Sequence, residues 1–147
     1  MSIRNTLYAA PAFFALTLGA SAQDAATYTL TVHMTGFRNN TGNGGVAIFK
    51  SPDGWPENND KAFKHEGVQV ANNEATLKFQ VPAGTYGVAA LHDENKNHKL
   101  DRNMIGFPKE GFGFANNPHV GLSAPAFSAA TVKVTGDTTV EINMQYK

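Results

Sequence analysis

From Tyr28 onward the chain keeps alternating apolar and polar side chains, and no other feature restricts its fold as strongly. Tyr28, Leu30, Val32 and Met34 alternate with Thr29, Thr31, His33 and Thr35. Ala75, Leu77 and Phe79 alternate with Thr76, Lys78 and Gln80, and Val140, Ile142, Met144 and Tyr146 with Thr139, Glu141, Asn143 and Gln145. Successive side chains of a strand point to opposite faces, so a period of two predicts strands with one buried and one wet face. Shorter candidates lie at 45–49, 67–70, 85–91 and 131–134. Between them stand Asn39-Asn40-Thr41-Gly42-Asn43-Gly44, Ala71-Asn72-Asn73-Glu74, Pro82-Ala83-Gly84 and Gly136-Asp137, residues that supply positive or fixed φ. The gaps at 71–74 and 135–138 are short enough for hairpins. A helical period is absent, with a turn or two near 59–63 the one helical candidate. About seven short strands of this kind predict an all-β chain folded as an antiparallel β-sandwich.

Ahead of the strands lies a segment of different character. Arg4 is a positive start, residues 7–18 are an apolar run, and Ala20-Ser21-Ala22 is an A-x-A cleavage site. That pattern predicts an export signal at 1–22 and a single domain at 23–147, destined for the periplasm or the exterior. The run is too short to span a bilayer, and no later run is long enough to do so. A domain of this length buries roughly two thirds of its unfolded surface and folds without disulfides. The chain has no cysteine, which excludes thiol catalysis and cysteine-ligated metals. Lysine plus arginine and aspartate plus glutamate each number 12. Without a basic stripe, the long-range attraction required for nucleic-acid binding is missing.

One constellation has a specific chemical meaning. In Asp93-Glu94-Asn95-Lys96-Asn97-His98-Lys99-Leu100-Asp101, oxygen side chains fall at positions 1, 3, 5 and 9. This is the spacing of a loop that wraps Ca²⁺, with Asp93, Asn95, Asn97 and Asp101 as side-chain ligands and Lys99 giving its carbonyl. Position 6, ordinarily glycine, is His98, which must then take positive φ. Position 12, ordinarily a bidentate glutamate, is Met104. Two neutral ligands and flanking Lys96, Lys99 and Arg102 imply weak binding, with Kd of ~10⁻⁴–10⁻³ M. The alternative is an ion-free turn in which Asp and Asn cap their own backbone.

Two further groups draw attention. His92 and His98 flank Asp93, a combination suited to zinc or copper and hence to a metal-dependent hydrolase. The plainer role for His92 is a strand-end residue bonded to a loop carbonyl, and for His33 an exposed place on a polar strand face. Two stretches look like loops, 51–61 with the sole tryptophan and the Gly/Pro/Asn-rich 102–125. Long ordered loops of this kind are often functional. Trp55, Phe107, Phe112 and Phe114 either line a groove for a sugar or a peptide, or fold down to seal the core. No nucleophile elbow, His-Glu-x-x-His or phosphate loop is present, so a non-catalytic chain is expected.

The runs Pro82-Ala83-Gly84-Thr85-Tyr86, His92-Asp93-Glu94-Asn95, Lys99-Leu100-Asp101 and Gly106-Phe107-Pro108-Lys109-Glu110-Gly111-Phe112-Gly113-Phe114-Ala115-Asn116-Asn117 resemble a bacterial secreted family, domain of unknown function 2141. Asp53-Gly54-Trp55-Pro56 and Lys61-Ala62-Phe63 fit as well. The likeness covers essentially all of 23–147. It implies an exported β-sandwich, similar to immunoglobulin-like or transthyretin-like domains, with no established activity. Where this chain has His98, members of the family usually carry glycine. The sequence thus predicts an exported, non-catalytic β-sandwich with a weak calcium loop, or else a module that binds a glycan or cell-envelope protein through 102–125.

Overall fold

The computed structural model describes residues 24–147; the expected export signal at 1–22 lies outside them. Eight strands form: β1 Thr27–Thr35, β2 Asn43–Phe49, β3 Lys64–Gln69, β4 Glu74–Pro82, β5 Gly84–Asp93, β6 Phe112–Phe114, β7 Thr131–Val134 and β8 Thr138–Asn143. Single 3₁₀ turns occupy Asn59–Lys61, where a helical turn was expected, and Phe127–Ala130.

The strands make two sheets, β4-β1-β8 and β3-β2-β5-β6, with β7 also paired to β5. β5 is long enough to take two short partners end to end. β7 lies against Gly84 to Gly87 and β6 against Ala89 to Leu91. All pairings are antiparallel but one: β8 runs parallel to β1, with Val32 opposite Val140.

Three expectations about connections and loops change. Ala71 and Glu74 exchange two backbone hydrogen bonds of 3.0 Å around Asn72 and Asn73, both at positive φ. The turn is tight, yet β3 and β4 then enter different sheets. The gap at 135–138 likewise joins β7 and β8 across the sandwich, so neither gap closes a hairpin within one sheet. Turn chemistry fixes how the chain reverses locally, while the apolar faces decide which sheet each strand joins. Inside the expected loop 102–125, Phe112–Phe114 forms β6.

The core lies between the sheets. Leu30, Val32 and Met34 of β1, Phe79 and Val81 of β4, and Ile142 of β8 meet Val46 and Ile48 of β2 and Tyr86 and Val88 of β5. Each such side chain contributes about 1.5–3 kcal/mol over exposure. The Tyr86 hydroxyl keeps a partner by donating to the Pro82 carbonyl at 2.7 Å. Among the described residues, the buried apolar ones fall within 30–144. The outer face of the second sheet, which in a two-layer domain would meet water, carries the site.

Candidate functional site

At the end of β5 the loop 93–101 closes upon itself. Asp93 is buried, and its two carboxylate oxygens accept from the backbone N–H of Asn97 at 3.0 Å and of His98 at 2.8 Å. Asn95 and Asn97 accept from the N–H groups two residues ahead, at 3.2 and 3.0 Å. Their amide nitrogens meet the Asp101 carboxylate, Asn97 at 2.8 Å. Lys96 and His98 take φ of 59° and 62°, so His98 accepts the conformation a glycine would hold. Three of the expected ligand residues are thereby brought together, with Asp93 turned to the backbone beneath them. The amides present donors to Asp101; an ion would need them reoriented and the local turns loosened. No cluster of three or more histidine, cysteine, aspartate or glutamate side chains among the described residues is placed to hold a metal.

Sequence reasoning missed the residue that clamps this loop. Glu110 is buried, and its two oxygens accept from the N–H of Glu94 at 3.0 Å and of Asp101 at 3.1 Å. One carboxylate thus ties the entry of the loop to its exit. Only a long-range contact could reveal it, since Glu110 sits in a Gly/Pro-rich run without periodicity.

His92 takes the plainer of its two roles. Fully buried, it reaches the Thr41 carbonyl through Nε2 and the Tyr146 hydroxyl through Nδ1, each at 2.8 Å. A carbonyl only accepts, so Nε2 carries the proton and Nδ1 accepts from Tyr146. Burial holds the Tyr146 hydroxyl above its ordinary pKa. Both imidazole nitrogens are occupied, leaving none for a metal. His33 is not a freely exposed side chain; it bridges the carboxylates of Glu141 at 2.7 Å and Glu74 at 3.1 Å.

The larger feature lies on the outer face of the second sheet. Two rows of outward side chains cross it, Gly67–Gly45–Leu91–Phe112 and His65–Ala47–Ala89–Phe114. Small residues in the middle and aromatic ones on β6 make the surface concave. Phe107, Val120, Leu122, Leu100, Arg102 and Pro56, from the connecting segments, complete its lining. The cleft holds about 460 Å³, within the range of small-ligand sites. Arg102 and Glu57, both on its lining, form a paired-fork ion pair. The hydrogen bond to Glu57 is the main cause that raises the Arg102 guanidinium above its ordinary pKa.

The four aromatic residues singled out by the sequence therefore part company. Phe107, Phe112 and Phe114 all line the cleft, although Phe112 and Phe114 are almost wholly buried. Trp55 packs beside it and not into it. Its ring lies 5.4 Å from Phe49, 5.6 Å from Phe127 and 5.7 Å from Phe114, and its Nε1 donates to the Pro125 carbonyl at 2.9 Å. Asn116 and Asn117 turn the chain at positive φ. They also lock the loop to its neighbours. Asn116 donates to the Thr131 carbonyl at 2.9 Å, and Asn117 exchanges hydrogen bonds with β8 at Glu141 and Asn143. The signal for these roles was composition alone, and composition does not specify partners.

Fold and site together define a two-sheet β domain with an apolar cleft on one outer face. The model of a bacterial family, described as "uncharacterized protein conserved in bacteria (DUF2141)", matches residues 32–143, and the chain belongs to that family. No curated protein and no solved structure matches the chain. Among the described residues no helix is long and apolar enough to cross a membrane.

Proposed function

We propose that this chain is an exported, non-catalytic binding module whose working surface is the cleft. The observation that carries this is the strip of small outward residues, Gly45, Ala47 and Ala89, walled by Phe107, Phe112 and Phe114. Of the two expected ligand classes, a protein segment fits better than a glycan. Sugars need several side-chain partners for their hydroxyls; the sheet residues at the centre supply Gly, Ala, Leu and Phe, and of the polar lining residues Glu57 and Arg102 are already paired with each other. A cell-envelope protein offering an apolar segment is the partner this chemistry selects. Export rests on the sequence pattern at 1–22 and is tested by the N-terminus of protein recovered outside the cytoplasm, which should be Gln23.

Trp55 stands against Phe114, so its emission should respond to an occupant. Apolar peptides should shift it, oligosaccharides should not, and Ala47→Leu should weaken the response about tenfold by filling the floor. Silence across a broad panel of both ligand classes would remove the proposal.

A second proposal concerns Ca²⁺ at the 93–101 loop, supported by the convergence of Asn95, Asn97 and Asp101 and the positive φ of His98. The ion would stabilise the loop and so the cleft's end wall. At ~1 mM Ca²⁺ and Kd ~0.1 mM, the gain is about 1.4 kcal/mol. The melting temperature should rise in CaCl₂ but not MgCl₂, and Asp93→Ala should abolish the rise. No calcium-specific rise in the parent chain leaves a self-capped turn.

A further inference from the structure

The loops at 51–61 and 94–111 leave the second sheet at opposite ends. β2 ends at Phe49, which pairs with Gly87 near the start of β5, whereas β5 ends at Asp93, which pairs with Asn43 at the start of β2. The two loops nevertheless meet. Arg102 donates from both terminal guanidinium nitrogens to the Glu57 carboxylate, Nη1 at 3.1 Å. Because both residues line the cleft, their bond spans the outer face between the two ends of the sheet. Glu57 and Arg102, with Asn59, His98, Lys99 and Leu100, also line a second hollow. The pair therefore stands as a partition with open space on either side.

The roots of both loops are fixed independently of this pair. Trp55 packs against Phe49, Phe114 and Phe127, and the Asn58 N–H donates to the Gly54 carbonyl at 2.9 Å. On the other loop Glu110 clamps Glu94 and Asp101, and the Lys109 N–H donates to the Asp101 carbonyl at 2.8 Å. Among the described residues no other hydrogen bond or ion pair joins 51–61 to 94–111. The join thus resides in two side chains that can part without moving either loop. They are 42 % and 46 % exposed, and an ion pair in contact with water is weak and sensitive to salt. Such a bond contributes little to holding the fold and is easily broken. We infer that the Arg102–Glu57 pair is a side-chain latch across the cleft, closed at rest and parted to admit an occupant. This rests on the reading of the cleft as the working surface and adds how entry to it is regulated: ions that compete for either partner open it.

The chain has no cysteine, so Ala47→Cys places a single thiol on the floor. Its alkylation rate with N-ethylmaleimide reports access to the cleft without any partner, and the reagent is neutral, so salt leaves its encounter unchanged. Adding Arg102→Gln should raise that rate about fivefold, the factor by which an exposed ion pair favours a closed state. About 0.5 M NaCl should raise it where the latch is intact and leave it unchanged in Arg102→Gln. Exchanging the charges, Glu57→Arg with Arg102→Glu, should restore the slow rate. A thiol at Lys78→Cys, exposed on β4 in the other sheet, should react alike throughout. Equal rates at Ala47→Cys with and without Arg102 overturn the inference, as does an exchanged pair that stays fast. If Arg102→Gln lowers the melting temperature, the intact pair decides alone, and a rate indifferent to salt overturns the latch. Latched labelling with a Trp55 emission silent to every peptide would remove the binding reading and keep the latch. Unlatched labelling with a peptide response would remove the latch alone.

Discussion

The Tyr146 hydroxyl donates to His92 Nδ1 across 2.8 Å and accepts from the Arg38 backbone N–H at 3.0 Å. A residue at the C-terminal end thus satisfies a fully buried imidazole and a loop amide at once. Tyr146→Phe keeps the ring and leaves both partners without theirs, which should cost about 1–3 kcal/mol. Chemical denaturation should show that loss with an unchanged dependence on denaturant, since no strand is removed.

Glu110 makes a parallel case at the 93–101 loop. Glu110→Ala strips two backbone N–H groups of their acceptor and should destabilise the chain by about 2–3 kcal/mol. The distinctive readout is hydrogen exchange. The amides of Glu94 and Asp101 should lose protection well before those of β1, and Glu110→Gln should fall between parent and alanine. Uniform acceleration throughout the domain would show that Glu110 holds the fold and not the loop in particular.

Gly42 allows a steric prediction. Its φ is 75°, and a Cβ there would sit 2.1 Å from the Asp93 backbone carbonyl oxygen. Backbone cannot swing aside as a side chain can, so Gly42→Ala should cost about 3 kcal/mol or more. Gly136 has nothing within 4 Å of the same virtual atom, and Gly136→Ala should change the melting temperature little. Equal effects at the two positions would refute the close approach of the 36–42 loop to the end of β5.

The bridge of His33 between Glu74 and Glu141 makes stability depend on pH. The hydrogen bond to Glu74 is the largest cause raising the His33 pKa, with Glu141 adding to it and partial burial opposing. A histidine raised in the folded state stabilises most below its ordinary value of about 6.5. That contribution fades as pH climbs through the raised folded value. His33→Gln should therefore melt below the parent at about pH 5.5, and the gap should close by about pH 8.5. A gap that widens with pH would contradict the bridge.

Much of the sandwich was legible because one buried face per strand imposes a period of two on Leu30, Val32 and Met34 and on Leu77 and Phe79. Strand β6 was not, since Phe112-Gly113-Phe114 alternates over only three residues inside a glycine-rich run. Sheet membership was also hidden. Asn72-Asn73 announces a turn, but whether β4 then pairs with β3 or with β1 depends on distant apolar faces. The loop at 93–101 declared its sharpness and the φ of His98 through spacing alone. Its clamp, Glu110, and the cleft floor of Gly45, Ala47 and Ala89 did not show, because small residues and single carboxylates acquire meaning only from what lies opposite them in space.

The parallel pairing of β1 with β8 has a consequence for how the chain comes together. β1 emerges first, yet one of its two edges stays open until residues 138–143 arrive to line it. Such long-range closure delays folding, and every earlier length of chain displays an unpaired strand edge able to recruit another copy. Residues 138–143 therefore act as a stopper: a chain cut before β8 should gather into aggregates, however well its remaining strands are formed.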